Sequence, residues 1–227
     1  MRDYKYIIMC GGIDTHWEKP RQLYELFGEP LVARIIRQLR AEGIEDISIS
    51  SNDERFEQFG VPVLHHENNY LSEGYNRDTG LWCEAFYPMN EPTMYMHGDV
   101  IYSPNAIRTI IEADTDDIIF FGSCPPFPPE YPKWYIEPFG FKVVNHEHLR
   151  QACKDVARLV DEGRFNRQPL AWEVWNVISR GPDGDVNTII GDSYIHINDW
   201  TCDIDYPEEI KSMERLVGRF DPPPYHK

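Results

Sequence analysis

Tyr6-Ile7-Ile8-Met9-Cys10-Gly11-Gly12-Ile13-Asp14-Thr15-His16-Trp17-Glu18-Lys19-Pro20 is the stretch on which the reading of the chain turns. A short apolar run near the start of a chain reads as a central strand buried on both faces. Gly11 and Gly12 then free the backbone to turn tightly and to approach a ligand. Thr15, His16 and Lys19 follow as hydrogen-bond donors suited to phosphate. Further on, Leu31, Ile35, Ile36 and Leu39 recur with helical spacing, so the stretch from Arg21 to Leu39 is expected to end in an amphipathic helix. Strand, glycine loop, donors and helix form an arrangement that can cradle a nucleotide phosphate. Many α/β proteins show a strand followed by two glycines without binding a nucleotide. The spacing is neither that of a P-loop nor that of a GxGxxG fingerprint.

The 227 residues suffice for one α/β domain with a sizeable core, and 41% hydrophobic residues is ordinary for a globular chain. A formal net charge of −16 disfavours nucleic acid and anionic membrane as partners. An anionic substrate would therefore need a local positive site or a metal. The five cysteines, Cys10, Cys83, Cys124, Cys153 and Cys202, form no CxxC pair and suggest no zinc site. Their odd, scattered number fits reduced thiols and a cytoplasmic location. No apolar stretch approaches the roughly 20 residues that span a bilayer, and no signal peptide is apparent.

Strands are expected at Ile44–Ser50, Val61–Leu64, Thr93–His97 and Asp117–Gly122, with helices at Asn52–Phe59, Leu81–Tyr87 and Pro104–Glu112 between them. Alternation of this kind means βαβ units and a mostly parallel sheet. Glu67–Gly80 lacks periodicity and reads as a long loop of the kind that is usually functional. Ser123–Pro132 is proline-dense and irregular. Beyond it come a strand within Trp134–Val144, helices at His146–Gly163 and Ala171–Ser179, a late strand at Ser193–Asn198 and a closing helix at Tyr206–Leu216. The chain is read as one domain, with a nucleotide-binding half at 1–122, an acceptor-binding half at 123–220 and a loose tail at 221–227.

Four constellations carry chemistry. His97-Gly98-Asp99 ends an apolar strand, and an Asp at the carboxyl end of a parallel strand stands where open sheets place ligand groups. Asp203-Ile204-Asp205-Tyr206-Pro207-Glu208-Glu209 offers a second carboxylate; Asp205 before Pro207 and two glutamates also suits a helix N-terminus, and both roles are compatible. Asn76-Arg77-Asp78-Thr79-Gly80-Leu81 closes the long loop and reads from its residues as a set of turns. Lys133-Trp134-Tyr135, Glu137 and Trp172-Glu173-Val174-Trp175 combine aromatics with acids. Such residues either form core or hold a cation through their ring faces.

Taken together these motifs resemble the sugar-phosphate nucleotidyltransferases, including the MobA-like NTP transferases and the phosphocholine-type cytidylyltransferases. The opening Cys10-Gly11-Gly12, Thr15-His16, Lys19-Pro20 and Gly28-Glu29-Pro30-Leu31 is similar to the opening of that family. Asp14 stands where a loop glycine is usual, and His16 where an arginine is usual. The resemblance implies an α/β, Rossmann-like three-layer α/β/α sandwich of the GT-A type with a mixed, mostly parallel sheet. It implies an enzyme that transfers an NMP from an NTP, CTP ahead of UTP, to a small phosphorylated acceptor, a sugar, polyol, choline or amino-acid phosphate. Pyrophosphate is released, and the product serves cell-surface polysaccharide or lipid precursor synthesis.

On that resemblance Lys19 orients the attacking phosphate, and His16, if protonated, replaces the arginine's charge. Cys10, Gly11, Gly12, Thr15, Asn76 and Thr79 hold the nucleotide, Asp99 and Asp205 hold Mg²⁺, and Lys133, Glu137 and Trp172 meet the acceptor. A homodimer is left open. A GT-A glycosyltransferase, a molybdopterin-type guanylyltransferase and a catalytically inactive nucleotide-binding domain are the rival readings.

Overall fold

The computed structural model describes residues 2–11, 17–65, 82–188 and 194–221. The first strand, β1 (Lys5–Met9), lies inside a seven-stranded sheet. Beside it run β4 (Ile47–Ser50) and β6 (Thr93–His97), both parallel to it. The sheet extends through β5 (Val63–Leu64) on one side. On the other it continues through β9 (Pro138–Val143), β8 (Ile118–Gly122) and β10 (Ile195–His196), in the order β10-β8-β9-β6-β1-β4-β5. Only β9 runs against its neighbours β6 and β8; every other pairing in the sheet is parallel.

Side chains of β1 point alternately to the two faces, as the strand period requires. Tyr6 and Ile8 join one core cluster with Val32, Ile35, Ile36 and Leu39 of α1 (Leu31–Ala41) and Ala106, Ile107 and Ile110 of α2 (Pro104–Glu112). Ile7 and Met9 join a second with Leu149, Val156 and Leu159 of α3 (His146–Asp161) and Trp172, Val174 and Trp175 of α4 (Ala171–Arg180). Helices therefore cover both faces, giving the three-layer α/β/α sandwich that the sequence suggests. Each fully buried Leu or Ile contributes roughly 1.5–3 kcal/mol to this packing. No helix among the described residues is long and apolar enough to cross a membrane.

Local chemistry sets the element ends. Ser103 caps α2, its Oγ accepting the Ala106 amide at 2.9 Å just before Pro104. At the other end of α2 the buried Lys142 donates to the carbonyls of Ile110, Ile111 and Ala113 at 2.6, 3.2 and 2.6 Å. A cation there satisfies carbonyls that the helix leaves unpaired and suits the dipole. Its Nζ also sits 4.3 Å over the Tyr4 ring.

Several elements are shorter than their sequence pattern suggests. Arg21–Leu23 is a single 3₁₀ turn, and a hairpin of β2 (Glu25–Leu26) and β3 (Glu29–Pro30) precedes α1. That hairpin turns through Phe27 and Gly28, both at positive φ, which no helix allows. Glu54–Phe59 and Trp82–Ala85 are 3₁₀ turns, and the strand expected within Trp134–Val144 starts only at Pro138. Lys133–Tyr135 is instead held as loop. Tyr131 donates to the Tyr135 carbonyl at 3.0 Å and contacts Ser123 Oγ at 2.8 Å, and the Glu137 amide donates to the same Oγ at 2.8 Å.

Candidate active site at the carboxyl edge of the sheet

Because β1 and β6 are parallel and in register at Met9 and His97, both chains leave the sheet at the same edge. Crevices outside that edge are where open α/β sheets bind ligands. The Gly98 amide donates to the Met9 carbonyl at 3.0 Å, which locks the two exits together. A Cβ on Gly98 would stand 2.7 Å from that carbonyl oxygen and 2.8 Å from Cys10 Sγ, so glycine is required by the close approach.

Asp99 follows at this edge. Immediately beyond it, β7 (Val100–Ile101) pairs antiparallel with β11 (Cys202–Asp203), with Asp203 opposite Val100. The Ile204 amide donates to the Asp99 carbonyl at 3.2 Å. This small ladder brings the late acidic segment beside Asp99. Beneath it lies a third apolar cluster containing Ile101, Trp200, Cys202 and Ile204, with Met213 and Val217 of α5 (Ile210–Phe220). Among the described residues, two cations answer the carboxylates gathered here. Arg21 Nη1 lies 3.3 Å from Asp99 Oδ2, 3.9 Å from Asp205 Oδ1 and 3.2 Å from the Ile204 carbonyl oxygen. Lys133 Nζ donates to Glu137 Oε1 at 3.0 Å, to Asp205 Oδ2 at 2.8 Å and to Asp203 Oδ1. Tyr135 donates its hydroxyl to Asp205 Oδ2 at 2.8 Å.

Electrostatics divide these acids. Burial pushes the Glu137 carboxyl up to about 10, and the Asp203 charge adds to the shift while Lys133 opposes it. Burial pushes Asp203 up to about 6, again against Lys133. Burial also acts against ionised Asp205, yet the hydrogen bond and charge of Lys133, with Tyr135 and Arg21, hold its carboxyl below the usual range. Lys133 itself would be lowered by burial, but Asp203 and Glu137 hold it well above its ordinary value. The cluster at neutral pH is therefore a proton-bearing Glu137, an ionised Asp205 and a charged lysine between them.

Carboxylate oxygens of Glu137, Asp203 and Asp205 lie within 4.8 Å of one another. An all-carboxylate donor set suits a hard divalent ion such as Mg²⁺. Lys133 already saturates the inner side of that trio. The outer oxygens, Asp99 Oδ2 and Asp205 Oδ1, converge on the more accessible Arg21 and offer a cation two carboxylates and a carbonyl.

The structure brings Asp99, Asp205, Lys133 and Glu137 together. Cys10 is buried beside Gly98, with its thiol pushed up by burial and by Asp99. Gly11 follows it at the same exit. Lys19 lies 4.9 Å over the Tyr24 ring, on the loop leading to Arg21. Trp172 was expected at the acceptor site. It is only 4% exposed and packs edge-on against Phe120 at 4.9 Å, with Gly122 beneath it. Gly12, Thr15, His16, Asn76 and Thr79 lie outside the described residues. Sequence reasoning quoted Asp203 and Tyr135 in its motifs without giving them a role, and missed Arg21. The spacing of Asp203 and Asp205 was a usable signal, since residues i and i+2 of an extended segment share a side. Arg21 carried no such signal.

A Rossmann-like sheet that gathers acids at its carboxyl edge has the architecture of an α/β domain that binds a ligand in that crevice. The chain belongs to the family of the MobA-like NTP transferase domain, whose model matches residues 6–164. Among solved structures it is similar to a Bacillus anthracis protein assigned as a glucose-1-phosphate thymidylyltransferase, at 16% identity and a TM-score of 0.58, over 99% of this chain and 98% of that one. It also aligns with the CTP:phosphocholine cytidylyltransferase of Streptococcus pneumoniae, at 16% identity and a TM-score of 0.49, over 96% of this chain and 100% of that one. The likeness to the thymidylyltransferase structure, at this identity, speaks to the fold. No curated protein matches the chain.

Proposed function

We propose that this chain transfers a nucleoside monophosphate from an NTP to a small phosphorylated acceptor. An acceptor phosphate oxygen bonds to the α-phosphorus, the bond from that phosphorus to its bridging oxygen breaks, and pyrophosphate leaves. No covalent enzyme intermediate is needed, so the protein's work is positioning and charge neutralisation. The observation that carries the reading is the β7–β11 ladder, which sets Asp205 beside Asp99 at the sheet edge.

Asp99 and Asp205 would hold a divalent ion, Mg²⁺ by donor chemistry, and such an ion neutralises charge on the phosphates it meets. The other roles fall to the chain's own residues. Lys133 fixes Asp205 and Asp203 from the buried side, and Tyr135 fixes Asp205 from the loop. Lys19 would leave the Tyr24 ring to orient the attacking phosphate. Gly11, Gly12, Thr15 and His16 would wrap the triphosphate, and Asn76 and Thr79 would read the base, with CTP ahead of UTP. The acceptor would enter over Trp134, which is 86% exposed beside the Tyr135 ring at 5.2 Å.

The division into a nucleotide half and an acceptor half, and a cytoplasmic role in supplying activated precursors for surface polysaccharide or lipid, belong to this proposal. A pyrophosphate-release screen tests it, with four NTPs against sugar phosphates, polyol phosphates, phosphocholine and phosphoamino acids. Release that needs both an NTP and an acceptor supports transferase activity. Nucleotide binding without release under any pairing would favour a nucleotide sensor.

A further inference from the structure

We propose that Arg21 is an exchangeable resident cation of this site, which must leave Asp99 and Asp205 before a divalent ion can bind. This rests on the reading of those two carboxylates as the cation site. Arg21 Nη1 occupies the point where three oxygens converge: Asp99 Oδ2 at 3.3 Å, Asp205 Oδ1 at 3.9 Å and the Ile204 carbonyl at 3.2 Å. These belong to two segments far apart in sequence, brought together by the β7–β11 ladder. A guanidinium nitrogen and a metal ion cannot share them, since Mg²⁺ needs its oxygens at about 2.0–2.1 Å.

The two described cations of the site differ in exposure. Lys133 is 7% exposed and makes three carboxylate contacts, two of them at 2.8 and 3.0 Å. Arg21 is 24% exposed, and its carboxylate distances exceed the roughly 2.7–2.9 Å of a tight charge-assisted bond. It projects from a three-residue turn rather than from a long helix. Lys133 is thus the deeply buried counter-charge, and Arg21 is the more solvent-exposed one. A triphosphate brings the charge and the fork-shaped acceptors that guanidinium prefers. Nucleotide would draw Arg21 outward and vacate the oxygens, so nucleotide and ion would bind with positive coupling, each raising the other's affinity by the same factor.

The test uses Mn²⁺ alone, without nucleotide, and reads free Mn²⁺ by electron paramagnetic resonance against the full-length protein. Wild type should bind Mn²⁺ weakly. Arg21→Gln should bind it about tenfold more tightly, because a full charge within 4 Å of two carboxylates is gone. Arg21→Ala repeats the measurement should the glutamine variant fail to fold, and Arg21→Lys, which keeps a competing charge, should stay near wild type. Asp99→Asn should abolish the gain in the Arg21→Gln background. Equal Mn²⁺ affinity in wild type, Arg21→Gln and Arg21→Ala, with binding still lost in Asp99→Asn, would overturn the role of Arg21 and leave the carboxylate site standing. Mn²⁺ binding that ignores Asp99→Asn would overturn the carboxylate site and this inference with it.

Discussion

Replacing Lys133 by Met keeps the stem's volume and removes the charge that three acids share. The ammonium is almost fully buried and touches Glu137, Asp203 and Asp205. Without it, carboxylate oxygens within 4.8 Å of one another face each other with no internal cation on that side. Removing one partner of a buried ionic cluster costs about 3–5 kcal/mol. The repulsion of two such charges near 4 Å at an effective dielectric of about 20, about 4 kcal/mol, agrees with that range. For a chain of this size the loss corresponds to a melting shift of about 6–20 °C.

The loss should depend on pH with a definite sign. Asp203 already sits at about 6 with Lys133 present, above the ordinary value of 3.8, and losing the lysine raises it further. An acid whose folded pKa exceeds its unfolded one stabilises the fold fully below the unfolded value, and that contribution is lost as pH rises through the folded one. The deficit of Lys133→Met against wild type should therefore be small near pH 4.5 and largest near pH 8. Urea denaturation at pH 4.5, 6 and 8 reads this directly. A deficit under about 1 kcal/mol at pH 8, or one that is the same at all three pH values, would refute the role assigned to the lysine.

Glu137→Gln mimics the proton-bearing acid, whose pKa of about 10 makes wild type lose stability as pH climbs above 4.5. The variant should fold normally, and its stability relative to wild type should rise from pH 5 to pH 9 in denaturant melts; a variant that instead falls behind wild type as pH rises would contradict a protonated Glu137. Gly98→Ala pushes a methyl group to 2.7 Å from the Met9 carbonyl and 2.8 Å from Cys10 Sγ. It should cost about 1–3 kcal/mol and weaken Mn²⁺ binding by shifting Asp99, and unchanged stability would show that the two chain exits are not tightly joined. Lys142→Met strands the carbonyls of Ile110, Ile111 and Ala113 and should destabilise by about 2–4 kcal/mol at pH 7 with no change in nucleotide affinity. A nucleotide defect there, at unchanged stability, would mean that the lysine serves the site rather than the helix end.

The sheet was legible because its strands state themselves. Ile7-Ile8-Met9 and Met94-Tyr95-Met96 are apolar on both faces, as a strand under two helix layers must be. Ser103-Pro104 announced α2, and the Leu31/Ile35/Ile36/Leu39 stripe announced α1. What periodicity could not show was pairing at a distance. Cys202-Asp203 forms a two-residue strand only because Val100-Ile101 offers a partner. Asp99 and Asp205 could be named as candidates from their local sequence, but their meeting point on Arg21 depends on that tertiary ladder. Trp172 was hard to place for the opposite reason, since aromatic residues beside acids look the same in sequence whether they line a site or fill a core. Only its packing against Phe120 and Gly122 separates the two.

The most direct test of the central claim follows the α-phosphate itself. An NTP labelled at the α-phosphorus is incubated with the acceptor that gives most pyrophosphate in the screen, using wild type, Asp99→Asn and Asp205→Asn, each with Mg²⁺ or with EDTA. Label should appear on the acceptor with wild type and Mg²⁺. It should fall by orders of magnitude in either single variant and with EDTA, and the double variant should be little worse than either single one, since both residues serve one ion. Full transfer by Asp99→Asn or Asp205→Asn, or transfer that survives EDTA, would contradict a carboxylate-held ion at this sheet edge.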